Sequence, residues 1–368
     1  MSGHDAQSLC AMGRPAALVS TEHAELTPTR EYGPEQAAII SEYTGRNLLH
    51  VIVNPVAGSG KAGKRWPELN TALAEHGFET VAHFTTRPGE ATSIARRLAE
   101  EDASTIVCVG GDGTLNEIIN GLVHDDQPVN RNTRLALIPA GTGKDFCRAL
   151  GVETVEKALR ALDADVTATI DLGRMTYIDQ HTGEPTVRYF ANCADGGLGA
   201  EAAARINAST KKLGAVGTYV IGAVRSILAF SFRDATYEVE GEVVFDGRSG
   251  MVVFANGPTF AGGMRVAPDA SLCDGLFDIY VLQDVGKRAL LFSLLPRVYR
   301  GRHVGRPGVL HTRGAHAKVT SPVELLVELD GEQLGRAPFE ARVVPGVLRV
   351  IGDEQALQKV GGCTNPAL

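Results

Sequence analysis

Thr105-Ile106-Val107-Cys108-Val109-Gly110-Gly111-Asp112-Gly113-Thr114-Leu115-Asn116-Glu117 is the stretch on which the reading of the fold depends. A run of apolar and β-branched residues ends in glycines, and a helical pattern follows from Leu115 to Val123. A short apolar run closed by glycine reads as a buried strand. Glycine lets the backbone approach a ligand without a Cβ clash, and the first amides of the following helix point at the same place, so the turn favours an anion. Asp112 can orient a metal or a hydroxyl. Thr114 and Asn116 can donate to phosphate or ribose. A plain turn does not require three glycines with Asp and Thr among them.

Two more turns of this kind lie on either side. Leu48-Leu49-His50-Val51-Ile52-Val53 reads as a strand, and Asn54-Pro55-Val56-Ala57-Gly58-Ser59-Gly60-Lys61-Ala62-Gly63 follows it into a helix from Trp66 to His76. Thr80 to Phe84 is a second strand and Ala91 to Glu101 a second helix. Arg134 to Ile138 is a fourth strand, closed by Pro139-Ala140-Gly141-Thr142-Gly143-Lys144-Asp145-Phe146. Alternating strands and helices imply a mostly parallel sheet, which binds ligands at the carboxyl ends of its strands. All three turns fall at that edge. Gly58, Gly60 and Gly63 spell the dinucleotide fingerprint with Glu79 downstream. However, Glu79 begins the second strand, whereas a ribose-binding acid belongs at its end. The GxxxxGK[ST] pattern of a P-loop is absent.

After Asp171 the pattern changes to short strands separated by Gly, Pro and Asp, which predicts a mostly antiparallel β domain. The expected strands are Arg188–Cys193, Ala235–Val239, Glu242–Phe245, Gly250–Ala255, Phe277–Leu282, Ala317–Thr320, Glu324–Leu329, Phe339–Val344 and Leu348–Ile351. Helical stretches are expected at Ala200–Phe230 and Lys287–Tyr299. The expected division is a flexible extension over 1–46, an α/β nucleotide domain over 47–174, a β domain over 175–352 and a tail over 353–368. The six cysteines are scattered without a CxxC pair, which suits reduced thiols in a cytoplasmic protein. A net charge of −7 argues against nucleic acid as a partner. The start lacks the basic and apolar pattern of a secretory leader. The apolar stretch from Val216 to Phe232 is broken by Arg225, so no transmembrane segment is expected.

Together these segments resemble the diacylglycerol kinase catalytic family, including the soluble bacterial lipid kinases and the sphingosine kinases, over roughly Leu48 to Ile351. The matching pieces also include Asp145-Phe146 with Arg148, Asp171-Leu172-Gly173, Asn192 to Gly199, Gly262-Gly263-Met264 to Pro268, Asp274-Gly275 and Asp330-Gly331-Glu332. The resemblance implies a phosphofructokinase-like N-terminal α/β nucleotide domain followed by a C-terminal β-sandwich, with the active site between them. It implies ATP held by Asn54, Pro55, Val56, Ala57, Gly58, Thr85, Gly110, Gly111, Asp112, Gly113, Thr114, Leu115, Asn116 and Thr142. It also implies a structural Mg2+ on Asp274 and the carbonyls of Ser271 and Leu276, linked through water to Asp171. Lys144 departs from the family's usual Asn. It could reach the ATP phosphates or disturb a hydrogen bond.

Glu332 resembles the family's catalytic glutamate and is the first candidate to take the proton of a lipid hydroxyl. Asp112 is the second, and Asp330 is expected to help place a catalytic magnesium. The turn at Asp330-Gly331 also reads as type I′. The expected partner is a lipid at a membrane surface, with the protein cytoplasmic or peripheral on the inner face. A homodimer is compatible with the sequence. Leu213 to Phe232 is a candidate lipid entrance, with Ile221, Val224, Ile227, Leu228 and Phe230 as an apolar stripe and Lys211, Lys212 and Arg225 nearby. The acceptor is open among diacylglycerol, a sphingoid base, phosphatidylglycerol and a prenol. The alternatives are another GGDGT kinase, such as one acting on NAD, a non-catalytic nucleotide-dependent regulator suggested by Lys144, and an NAD-dependent oxidoreductase.

Overall fold

Strand β1 (Leu48–Val53) is almost entirely buried because it runs through the middle of a parallel sheet, where both faces are covered. The computed structural model describes residues 47–141, 144–207, 224–361 and 364–365. After β1 come α1 (Ala57–Glu75), β2 (Glu79–Phe84), α2 (Glu90–Glu100), β3 (Thr105–Gly110) and α3 (Asp112–Leu122). A two-strand ribbon, β4 (Val123–His124) and β5 (Gln127–Pro128), leads to β6 (Arg134–Pro139). β1 pairs in parallel with β2 and β3, and β3 with β6. The registers Val53↔Phe84, Val53↔Val109 and Gly110↔Pro139 bring the carboxyl ends of these strands to one edge. The helices α4 (Asp145–Ala149) and α5 (Val155–Ala164) close this half.

The second half is a β-sandwich. Its strands are β7 (Thr167–Asp179), β8 (Pro185–Phe190), β9 (Cys193–Gly197), β10 (Arg233–Val239), β11 (Glu242–Ala255), β12 (Phe277–Gln283), β13 (Val309–Gly314), β14 (His316–Thr320), β15 (Leu326–Leu329) and β16 (Glu332–Ile351). Strand order runs β13-β12-β11-β10-β14-β16, and β9 joins β11 to β15. Alternating inward residues make its core, where Phe254 meets the edges of both Phe277 and Phe339. Helix α6 (Leu198–Asn207) follows β9 directly.

β7 and β16 tie the halves together. They pair antiparallel from Gly335↔Asp179 to Ile351↔Thr167, and the end of β16 also pairs in parallel with β6 at Val350↔Leu135. The expected boundary between 174 and 175 therefore falls inside a continuous strand. Phe339–Val344 and Leu348–Ile351, expected as two strands, are parts of β16, whose register shifts between Val344 and Leu348 around Pro345-Gly346. Glu242–Phe245 and Gly250–Ala255 likewise merge into β11, with a register shift between Ser249 and Met251. A β-bulge lets one strand pass through glycine and change direction, which a sequence reading takes for a break. The expected strand Arg188–Cys193 is instead divided between β8 and β9. β7 and β13 were not anticipated.

The helix expected at Lys287–Tyr299 runs as Gly286–Ala289, a π turn at Leu290–Leu294 and Leu295–Val298. The extension over 1–46, Thr142, Lys211, Lys212 and Ile221 lie outside the described residues. Among the described residues, no helix is long and apolar enough to cross a membrane.

Candidate active site

The three glycine turns are in mutual contact. A Cβ on Gly58 would lie 2.5 Å from the Ala140 carbonyl oxygen, and one on Gly141 would lie 2.5 Å from the Gly111 Cα. Only glycine permits this approach of one backbone to another. Gly58, Ser59 and Gly60 all have positive φ, of 62°, 62° and 83°, so the start of α1 is an open turn rather than helix. Asn54 organises that turn. Its Nδ2 donates to Thr114 Oγ1 at 2.9 Å, and its Oδ1 accepts from the Val56 amide at 3.2 Å. Thr85, the residue after β2, is buried, with its amide donating to the Val53 carbonyl. The amides at the head of α3 lie at the same strand edge, an arrangement of donors that suits a polyphosphate.

Two residues expected to bind ATP are engaged elsewhere. Asn116 is fully buried. Its Nδ2 donates to the Tyr189 carbonyl and to Asp330 Oδ2, both at 2.9 Å, and its Oδ1 accepts from Arg188 Nε at 2.6 Å. Asn116 therefore joins α3 to the sandwich rather than facing a nucleotide. The Leu115 amide is already used within α3, donating to the Gly111 carbonyl. Glu117 is likewise structural. Its carboxylate accepts from the Gly89 and Ala91 amides and caps α2 from the neighbouring helix.

Asp330 is the centre of the junction. Asp330 and Gly331 both have positive φ, 49° and 91°, as a type I′ turn requires. Asp330 Oδ2 accepts from Asn116 Nδ2 at 2.9 Å and the Ala191 amide at 3.0 Å. Its Oδ1 accepts from the amides of Asn192 at 3.0 Å and Cys193 at 3.2 Å. A carboxylate offers about four lone-pair positions, and all are taken. Burial pushes Asp330 above the usual carboxylate range, while these donors pull it down. The expected role of Asp330 in placing magnesium therefore meets a carboxylate with no free lone pair.

Two other carboxylates flank the Gly113 turn. The Glu332 carboxylate occupies the space that a Gly113 side chain would fill. Arg188 approaches Glu332 at 3.5 Å, and the Glu332 side chain keeps 39% exposure. Burial raises Glu332, opposed by Arg188. On the cavity side, burial and the negative charges of Asp145 and Asp330 push Asp112 up to about 7. Asp145 is fixed by Arg148 at 2.7 Å and by the Gly262 amide at 2.7 Å, which draws the 259–264 loop of the sandwich onto α4. Lys144 turns away from the phosphate rim. Its Nζ donates to the Glu153 carbonyl at 3.1 Å.

From this acidic end a cavity of about 220 Å³ extends into the sandwich half. Its wall is mostly apolar, with Phe146, Ile227, Leu290, Leu294 and Tyr280 among its residues. Ile227 and Phe230 pack inward against Leu290 and Leu294, whereas Leu228 is exposed, so the expected single stripe divides between two faces.

The residues that the resemblance assigns to a structural magnesium lie around the 271–276 turn, beside Asp171. The Asp274 carboxylate pairs with Arg313 and accepts from the Leu276 amide at 3.2 Å. Ser271 Oγ donates to the Val360 carbonyl. Asp171 holds the 274–275 turn, accepting from the Gly275 and Gly346 amides at 2.8 and 2.7 Å. Burial raises the Asp171 pKa above its ordinary value. Among the described residues, no group of three or more acidic, His or Cys side chains is arranged for a metal ion.

Two family patterns match consecutive parts of the chain. The diacylglycerol kinase catalytic domain matches residues 48–175, and the YegS C-terminal NAD kinase beta sandwich-like domain matches residues 193–352. The diacylglycerol kinase of Staphylococcus saprophyticus is 31% identical over 296 residues, covering 80% of this chain and 91% of that protein. The chain belongs to the diacylglycerol kinase family. As a member it is a kinase. The Bacillus subtilis diacylglycerol kinase is 29% identical over 292 residues, covering 79% of this chain and 91% of that protein. A crystal structure of a diacylglycerol kinase from Bacillus anthracis str. Sterne shares the fold, with a TM-score of 0.60 at 20% identity over 84% of this chain and 98% of that one.

Sequence reading missed Arg188 as a site residue. It connects Asn116 to Glu332, and its signal, a charged residue inside an expected strand, is weak. Asp145 and Arg148 were noticed as motif residues without a role. Their i,i+3 spacing on a short helix was the available clue.

Proposed function

We propose that this kinase transfers the γ-phosphoryl group of ATP to the hydroxyl of a lipid lying in the cavity. The observation that carries the reading is the cavity itself. It is apolar along its length and ends at Asp112, Asp145, Asp330 and Gly331, beside the glycine turns. Asn54 to Gly58, Thr85 and Gly110 to Thr114 are the proposed triphosphate rim. Magnesium enters as the companion of ATP, where it neutralises phosphate charge.

The lipid oxygen attacks the γ-phosphorus and the bond to the bridging β–γ oxygen breaks, leaving ADP. The hydroxyl proton passes to Glu332. Its carboxylate lies on the turn, and Arg188 favours its ionised form. A second reading gives this step to Asp112, because it lines the cavity and is poised at about 7. Membrane contact is proposed at Leu228 and Phe292, which are 56% and 80% exposed. Lys287 donates to the Leu228 carbonyl at 2.7 Å and brings basic charge beside them.

The test is labelled ATP with the purified protein and a panel of lipids, NAD and sugar phosphates, with product identification. Label in a lipid phosphate supports the reading, and label only in NAD or a sugar sinks it. Glu332→Gln should lower kcat by roughly 10²–10⁴-fold while remaining folded. Near-normal turnover in that variant moves the proton to Asp112.

A further inference from the structure

Arg188 stands between the two halves in a frame that fixes where its charge points. Its strand, β8, pairs with β7 at Met175 and is clamped to α3 one residue further on. There Asn120 Nδ2 donates to the Tyr189 carbonyl and Asn120 Oδ1 accepts from the Tyr189 amide, both at 2.9 Å. The Tyr189 hydroxyl also donates to Asp126 Oδ1 at 2.9 Å. Asn116 fixes the guanidinium itself. Its Nδ2 donates to two acceptors, the Tyr189 carbonyl and Asp330 Oδ2, which settles the orientation of the amide, and its Oδ1 accepts from Arg188 Nε at 2.6 Å. A guanidinium is a rigid plane, so pinning Nε sets the direction of its far edge. That edge faces Glu332, with Nη2 3.5 Å from Oε2.

The two oxygens of Glu332 therefore differ. Oε2 faces Arg188, whereas Oε1 occupies the place that a Gly113 side chain would take, over the glycine turn at the head of α3. At 3.5 Å the contact with Arg188 is one of charge rather than a short hydrogen bond, and side-chain exposures of 24% and 39% leave it partly screened. Burial, Glu117 of α3 and Asp330 of the turn all work against an ionised Glu332, and Arg188 opposes them. Tyr177 of β7 faces both Arg188 and Glu332.

We propose that Arg188 is a positioning residue of the transfer reaction, engaging Glu332 Oε2 and leaving Oε1, above the Gly113 turn, to accept the proton of the lipid hydroxyl. Arg188 takes its own direction from Asn116 on α3, so the acceptor is aimed only while the sandwich and the nucleotide half stay in register. This rests on the assignment of the proton to Glu332 above.

The experiment uses the full chain as wild type, Arg188→Gln, Arg188→Lys and Glu332→Gln, each measured below its own Tm. One readout follows the titration of the Glu332 carboxyl by NMR in protein carrying isotope-labelled glutamate, the signal being identified by its loss in Glu332→Gln. The other is the pH profile of kcat and kcat/KM with ATP and dioleoylglycerol in detergent micelles. Neither glutamine nor lysine can pin itself on Asn116 and present a fixed plane to Glu332. Both variants should therefore lose roughly 3- to 10-fold in kcat on the alkaline plateau, with the KM for ATP unchanged. Glutamine also removes the charge, so the Glu332 signal titrates at higher pH. Arg188→Gln then loses roughly a further 3- to 10-fold at the acid end of the profile, a loss that Arg188→Lys is spared.

A Glu332 signal and an acid limb that stay in place in Arg188→Gln, with kcat falling equally at every pH in step with Tm, make Arg188 a structural strut. That result overturns the proposal while Glu332 keeps its role. An acid limb that survives in Glu332→Gln takes the proton away from Glu332 and overturns both. Without turnover on dioleoylglycerol the titration decides alone. A signal that moves in Arg188→Gln and returns in Arg188→Lys supports the contact, and an unmoved one overturns it.

Discussion

Replacing Asp330 by Asn tests whether this residue of the Asp-Gly-Glu turn is a junction or a metal ligand. The carboxylate accepts four N–H donors, two on each oxygen. Asparagine keeps one oxygen and puts an NH2 group where the other was. In either orientation two donors lose their acceptor and face a donor instead. Hydrogen bonds to a charged group contribute about 1.5–3 kcal/mol each, so the direct cost is about 3–6 kcal/mol. Removing the Asp330 charge also relieves its repulsion of Asp112, which offsets a small part of this cost. At about 2 cal/mol/K of unfolding entropy per residue, each kcal/mol shifts Tm by roughly 1.5 °C in a chain of this length. Asp330→Asn should therefore melt about 3–8 °C below wild type by calorimetry. Its KM for ATP should hardly depend on magnesium beyond the wild-type response. A metal ligand behaves in the opposite way. A variant that melts within about 1 °C of wild type, loses turnover and regains it at high magnesium would refute the junction argument.

Asp112 and Glu117 give two further outcomes. The folded pKa of Asp112, about 7, lies above the ordinary carboxylate value, so the folded state holds a proton that the unfolded state has released. Wild-type stability should fall as pH rises from about 4 to 7, and Asp112→Asn should lack this loss and melt higher at pH 8, by up to about 4 kcal/mol of stability. Equal melting of the two proteins at pH 8 counts against the buried acidic cluster. Glu117→Gln weakens the cap on α2, so urea titration should show a loss of about 1–2 kcal/mol with kcat within about twofold. A collapse of kcat at unchanged stability would move Glu117 into the catalytic machinery.

The α/β half was readable because its signals are local. Apolar runs end in glycine at Gly110 and at Asn54-Pro55, and the glycines are needed where Gly58 meets Ala140 and Gly141 meets Gly111. The sandwich was readable as a class but not in its joints. β16 passes through Pro338 and Pro345-Gly346 without ending, because its partner strand β7 supplies hydrogen bonds on both sides of each irregularity. A local reading sees proline and glycine as stops, since the pairing that overrides them lies far along the chain.

The same reasoning applies to the polar residues of the motifs. Asn116 and Asp330 both look like ligand-facing polar residues in glycine-rich motifs, yet they bond each other across 214 positions. A polar residue in a motif can face the ligand or hold the loop that does, and sequence spacing carries no sign of which. Burial decides between these roles. Asn116 and Asp330 are 0% and 8% exposed and saturated with partners, whereas the Glu332 side chain keeps 39% exposure and a single distant cation. A proton acceptor must exchange its proton with substrate and solvent, so under the proposed mechanism the open carboxylate takes the proton, while the closed one holds the two halves in register. This division predicts a definite order of effects. Substitutions at Asn116 and Asp330 should lower stability and turnover together, and those at Glu332 should lower turnover alone. Stability loss at Glu332 matching that at Asp330 would collapse the distinction.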